Sequence, residues 1–356
     1  NPLPVRSPGS GLLRVEHPVV VQVVDGPGLG IRLDGRPHGF GRVLGRPPQD
    51  GALAFAEIAP VPIEDRGQPG GLGLEVEAIA VVVRQELAAL VGDVHIGGFA
   101  AFGGVDPVPN VLLNPTYSQT ILGQPLELAA ILNRLQRTAK TPLLIAADYE
   151  HGVGMRISGA TRFPRAMAFS AAGDRSLVRE AARLTASEAR ALGVHVNFAP
   201  VADVNNNPRN PVINIRSFGE DPVRVGEMAS DAVQGLQEGG VVATLKHFPG
   251  HGDTAVDTHL GLATVPHERA RLDRVELAPF RQGIQAGAGA VMVAHVELPA
   301  LDLTPGPATF SEPIVSGLLR RELGFSGVIY TDSLIMDATA AMTGPGEAAV
   351  KAVHAG

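Results

Sequence analysis

Residues 222–248, PVRVGEMASDAVQGLQEGGVVATLKHF, decide the fold. Pro222–Glu238 carries apolar residues at helical spacing and stops at Gly239, the residue type that ends helices. Val241–Leu245 follows as a continuous apolar, β-branched run and ends on the charged pair Lys246 and His247. A helix leading into a strand that is apolar on both faces is the unit of a parallel sheet covered on both sides.

Outward from this unit the same rhythm runs from about residue 80 to the end. Strand-like runs occupy His95–Phe102, Leu143–Ala147, Val194–Ala199, Val241–Leu245, Ala290–Ala294 and Gly327–Tyr330. Helix-like stretches fill the gaps: Leu126–Ala139, Ser176–Leu192, Pro222–Glu238, Arg271–Ala286 and Glu312–Glu322. Ionisable residues sit at or just past the strand ends: Asp148 and Glu150, Asp203, Lys246 and His247, His295, and Asp332. An open doubly wound sheet gathers function at one switch point. Polar ends spread over five strands instead predict an α/β fold of the (β/α)8 barrel type, in which all strand ends meet on one face.

Residues 81–356 are assigned to this barrel domain. The chain ends at Gly356 in or just after a helix, so the barrel is expected to be incomplete, truncated before its last strand, with its first strand not located. Residues 1–80 read as an irregular, unassigned Gly/Pro-rich segment, either an addition or sequence from another reading frame. Val19–Val24 has strand composition, but no helical pattern follows it. VVVQVVDGPGLG (19–30) aligns only Gly26, Gly28 and Gly30 with a dinucleotide-binding turn, and Pro27 interrupts it, so that reading is set aside.

A net charge of −7 without a Lys/Arg run argues against nucleic acid as a partner. The absence of cysteine excludes disulfides, thiolate nucleophiles and Cys-type zinc sites. The apolar runs are short and broken, so no membrane span is expected. No signal peptide is visible in this segment, which leaves cytoplasmic and periplasmic or secreted bacterial locations both open.

Asp332 ends a strand and precedes helix-like sequence, so by itself it reads either as a helix cap or as a carboxylate facing a substrate. His247, His251, His259 and His295 with Asp332 could also form a metal-dependent hydrolase site. H-x-H and H-E-x-x-H spacings are missing, however, and neither a metal nor another cofactor is expected. Asp203-Val204-Asn205-Asn206-Asn207 begins like a calcium loop but has Pro208 where Gly is required and Asn214 in place of the terminal Glu.

Four segments carry a more specific signal. They are LLIAADYEHGVGMRI (143–157), VHVNFAPVADVNNNPRNPVINIRSFGEDP (194–222), LKHFPGHGDTAVDTHLGL (245–262) and VIYTDSLIMDA (328–338). Over residues 86–356 the chain resembles glycoside hydrolase family 3, in its N-acetylglucosaminidase branch, and KHFPGHGDTAxDTH looks like that branch's signature. The resemblance implies a retaining β-N-acetylglucosaminidase that removes terminal N-acetylglucosamine from glycans or peptidoglycan fragments through a glycosyl-enzyme, a role in cell-wall recycling included. It implies Asp332 as nucleophile and His259, backed by Asp257, as acid/base. An imidazole titrates near neutrality, and a neighbouring carboxylate stabilises its charged form. It also places Lys246, His247, Arg216 and Asp148 in the innermost sugar subsite. Asp148 and Arg156 fit less closely, because the family's D-x-E-G-G-R run is here Asp148-Tyr149-Glu150-His151-Gly152-Val153-Gly154-Met155-Arg156. Asp203 is expected to bond within its loop or to support Arg216. The alternatives kept open are a broad-specificity β-glucosidase and a phosphorylase of the same family, with the metal-dependent barrel hydrolase behind them.

Overall fold

The computed structural model describes Val91 and residues 96–101 and 125–356, and before them the backbone of Val5–Arg6, Leu12–Leu13, Val19–Val23 and Leu53–Ile58. Eight parallel strands close into a barrel in chain order: β1 (Val19–Val23), β2 (Leu53–Ile58), β3 (Gly98–Ala101), β4 (Leu144–Ala147), β5 (Val196–Asn197), β6 (Val242–Phe248), β7 (Ala290–Val293) and β8 (Val328–Thr331). Residues 98–331 supply six of these strands, a curled half-barrel that is incomplete by itself, as the reading of residues 81–356 anticipates. The ring closes through the first eighty residues. Val19 and Val20 pair with Ile329 and Tyr330, Val20–Val23 with Leu53–Ala56, and Phe55–Ile58 with Gly98–Ala101. The segment read as irregular therefore contributes two strands, Val19–Val23 and Leu53–Ile58. Val5–Arg6 and Leu12–Leu13 pair antiparallel, and the rest of that segment lies outside the described residues.

Strand alternation sorts the side chains. Ala100, Ala146, Val196, Phe198, Ala290, Met292 and Tyr330 form one apolar cluster, and the intervening residues Ile145, Ala147, Ala243, Leu245, Val291, Val293 and Ile329 belong to another that includes helix residues. The first cluster fills the barrel interior and the second glues strands to helices, as the two-residue period of a closed sheet requires. Phe198 and Tyr330 meet edge to face inside the ring, centroids 5.1 Å apart. Asp148 continues the parity of Ala146, and Asp332 that of Tyr330. Both are carried on interior positions one step past the last apolar layer.

The expected helices form at α1 (Pro125–Thr138), α2 (Arg175–Ala191) and α3 (Pro222–Glu238). Asp174 and Asp221 cap α2 and α3, each accepting backbone N–H bonds from the first turn. The helix expected over Arg271–Ala286 is instead two short ones, Arg269–Arg274 and Ala278–Gln285. Pro279 lacks an N–H and so favours a helix start, which divides the stretch. The chain continues through the helical segment Pro313–Glu322 to a last helix, Pro345–Ala355. No helix among the described residues is long and apolar enough to cross a membrane.

Candidate active site

The carboxyl ends of β4, β6, β7 and β8 bring their polar residues to one mouth of the barrel. Lys246 and His247 at the end of β6 are adjacent in sequence, so strict alternation would send them to opposite faces. Between Leu245 and Phe248 the strand carries one residue more than β7 does between Val291 and Val293. This bulge re-aims the pair, a common device beside functional sites. Both side chains consequently join one charged network.

At its centre Lys246 Nζ lies 2.7 Å from Asp148 Oδ1 and 2.8 Å from Glu150 Oε1. Arg156 Nη2 stands 3.2 Å from the other oxygen of Asp148. Arg216 grips Glu150 with two bonds, Nη2 to Oε1 at 2.7 Å and Nε to Oε2 at 3.0 Å. Burial alone would raise the Glu150 carboxyl, but Arg216 and Lys246 outweigh it and hold it well below the usual range. Burial would likewise neutralise Lys246, yet Asp148 and Glu150 keep its ammonium charged. Asn197, on β5, fixes the segment between the two acids by accepting from Tyr149 N–H and donating to Tyr149 C=O.

Asp203, fully buried, serves a different partner from the one expected. Its Oδ2 is 2.7 Å from His247 Nδ1, and its Oδ1 accepts the His251 backbone N–H at 2.7 Å. Arg216 is held by Glu150 instead. Because a carboxylate only accepts, the proton of His247 sits on Nδ1. Burial pushes His251 down to about 4, so its ring is neutral between Thr254 and Thr258.

Asp332 closes β8. Its Oδ1 accepts the Ser333 N–H at 2.8 Å, and the following short helix, Asp337–Ala340, starts at Met336 without a side-chain cap. The cap reading therefore falls away. Burial opposes ionisation of Asp332, but the surrounding imidazoles of His247, His295 and His259 and the Ser333 N–H outweigh it and take it down to about 2. His295, buried at the end of β7, is kept neutral by desolvation. Its Nε2 donates to the Ser333 carbonyl at 2.8 Å, which fixes the turn that carries Asp332.

The loop after β6 carries Asp257 and His259. His259 Nδ1 is 2.7 Å from Asp257 Oδ1, which also accepts the His259 backbone N–H at 2.9 Å. Burial pulls the His259 ring down, but the hydrogen bond and charge of Asp257, with Asp332 beyond, hold it above its ordinary value. The loop is seated by close backbone approach. A Cβ on Gly252 would lie 1.9 Å from the Val204 carbonyl oxygen, and one on Gly250 2.9 Å from the Glu276 Cβ. Asn210 adds side-chain bonds to the carbonyls of His251 and Gly252.

The structure thus brings Asp148, Arg156, Arg216, Lys246 and His247 into one network. It sets Asp257 and His259 together beside Asp332, close enough for their charges to shift one another. Glu150, His295 and His251 were not among the expected site residues. Glu150 was findable, since it repeats the interior parity of Asp148. Among the described residues, His247, His251, His259, His295 and Asp332 do not place three ligand atoms within 4.8 Å of one another.

A closed parallel barrel with paired acids, cations and a carboxylate-backed imidazole at the strands' carboxyl ends defines a protein class, that of barrel proteins equipped for acid–base chemistry on a polar ligand. The chain belongs to glycosyl hydrolase family 3, whose N-terminal domain model matches residues 72–356. "Beta-hexosaminidase A" of Pseudoalteromonas piscicida is 40% identical over 252 residues, 65% of this chain and 42% of that protein. A "Beta-N-acetylglucosaminidase/beta-glucosidase" of Cellulomonas fimi is 37% identical over 237 residues, 64% of this chain and 42% of that protein. The solved family 3 β-N-acetylglucosaminidase of Paenibacillus sp. str. FPU-7 superimposes with a TM-score of 0.72 at 40% identity, over 90% of this chain and 54% of that one. The chain therefore spans only about half the length of these relatives.

Proposed function

We propose that this chain hydrolyses terminal β-N-acetylglucosaminides with retention of configuration. The observation that carries the proposal is the opposed pair at the barrel mouth: a carboxylate at Asp332 held ionised, and an imidazole at His259 held toward its protonated form by Asp257. Two groups whose surroundings push their pKa values apart are how one site keeps a nucleophile and an acid together at the same pH.

Asp332 attacks the anomeric carbon and forms the glycosyl ester while the bond to the aglycone oxygen breaks. Asp257 engages Nδ1 of His259, so Nε2 delivers the proton to the departing oxygen. His259, now neutral, takes a proton from water, the hydroxide oxygen bonds to the anomeric carbon, and the Asp332 carboxylate is released. Lys246, Asp148, Arg156, Arg216 and His247 offer donors and acceptors for sugar hydroxyls; their mutual ion pairs fix these groups before substrate arrives. The preference for an N-acetylated sugar is supported by the names of the relatives above.

Release of 4-nitrophenol from the β-N-acetylglucosaminide and from the β-glucoside tests the reading. Clear preference for the first supports it, and equal or reversed rates favour the broad-specificity glucosidase. Formation of sugar 1-phosphate dependent on added phosphate would establish a phosphorylase.

A further inference from the structure

Behind the acid/base loop lies a second polar cluster that the proposed chemistry does not use. Asp253 stands where the loop leaves the KHFPGHGD turn, His267 where it ends, and Glu276 between the two short helices that follow. His267 Nε2 bonds Asp253 Oδ2 directly. One donor atom from each of the three residues lies within 4.8 Å of the other two. Arg271 partly fills the gap, its Nη2 reaching Asp253 Oδ2 at 3.3 Å and Glu276 Oε1 at 3.2 Å.

Arg271 does not satisfy the cluster. Glu276 is 3% exposed, its carboxylate is turned into the group, and its Oε2 has no hydrogen-bond partner. The Arg271 Nε is buried and equally without one. Two carboxylates share a single guanidinium and one imidazole, an arrangement that leaves a buried Glu276 oxygen unused. Such a group is expected to be paired or to coordinate a metal. One imidazole nitrogen with two carboxylate oxygens is a donor set that suits zinc.

We propose that Asp253, His267 and Glu276 form a zinc site that staples the two ends of the loop carrying Asp257 and His259. Binding requires the donors to settle about 3.3 Å from one another, the spacing set by bonds of about 2.0–2.1 Å in tetrahedral geometry, so the His267–Asp253 hydrogen bond opens and its proton is released as Glu276 draws in. Asp253 and His267 are partly exposed, at 20% and 27% of their side chains, and can turn inward. Arg271, 34% exposed, gives up the gap by swinging into solvent, and water takes the fourth position. The site is separate from the catalytic-metal alternative, because none of its ligands belongs to the Asp332 cluster.

Zinc chloride titrated calorimetrically into the chelator-stripped full chain tests the proposal without reference to activity, so its outcome is independent of the glycosidase reading. Binding is expected to weaken at least about tenfold in His267→Ala and Glu276→Gln, and to stay unchanged in His259→Gln and Asp332→Asn. Arg271→Ala, which removes the competing cation, should bind zinc more tightly and recover with zinc the thermal midpoint it loses without it. No binding to the native chain, equal binding in the His267 and Glu276 variants, or weaker binding in Arg271→Ala would each overturn the site. Should His267→Ala fail to fold, the Arg271 and Glu276 variants still decide.

Discussion

One oxygen of Asp257, Oδ1, accepts both the ring Nδ1–H and the backbone N–H of His259, at 2.7 and 2.9 Å. The carboxylate therefore sets the ring's charge and the direction in which the loop presents it. Asp257 is itself 3% exposed, so its negative charge is screened little by solvent.

The pH dependence follows from that pair. His259 is held above its ordinary value of 6.5, so its contribution to stability is complete below that pH and is lost as pH rises through the raised value. Activity requiring the protonated ring should fall over the same alkaline range. Asp257→Asn should move the alkaline limb of kcat/KM to lower pH, and an unmoved limb would separate His259 from the proton transfer.

His259→Ala should lower turnover of substrates with poor leaving groups on the order of 10²- to 10⁴-fold, the usual contribution of a general acid. Loss should be smaller for 4-nitrophenyl or dinitrophenyl glycosides, whose leaving groups need no proton. Rates compared across leaving groups check this.

Asp332→Ala should abolish measurable turnover, with a loss on the order of 10⁴-fold or more. The carboxyl is depressed from 3.8 to about 2, so its stabilising contribution is present above 3.8 and disappears as pH falls toward 2. An acidic limb of activity near neutrality would therefore have to arise elsewhere. A pH–rate profile read beside acid denaturation tests both points.

Glu150 joins Arg216 to Lys246 in a buried network, so Glu150→Ala should cost about 3–5 kcal/mol by leaving two buried cations undercompensated. Replacing Glu150 and Arg216 together with Met should cost less than the Glu150 change alone. Denaturant midpoints measure both. Substrate affinity is expected to fall in each variant, because Lys246 loses a fixed partner.

Deleting residues 1–80 removes β1 and β2, leaving the six-stranded sheet with unpaired edges at Gly98–Ala101 and Val328–Thr331. Open edges of this kind pair with other chains. The truncated chain should lose cooperative unfolding and self-associate, read by calorimetry and light scattering. A stable monomeric truncation would show that ring closure is dispensable.

Much was legible in the sequence because it is local. The apolar β-branched runs and the helices between them need only neighbouring residues, as Pro222–Phe248 illustrates. The strand pattern already put Asp148 and Asp332 at the carboxyl ends of strands, and Asp257-Thr258-His259 lies within one loop. The tertiary structure decided what depends on distant partners. An extra residue in β6 relative to β7 turns both Lys246 and His247 into one network, although each strand read alone looks regular. Glu150 meets Arg216 across 66 positions and Asp203 meets His247 across 44, pairings that no spacing rule encodes. Closure by Val19–Val23 and Leu53–Ile58 was hidden for the same reason: a parallel strand is recognised by the edge it completes, and both of its edges lie elsewhere in the chain.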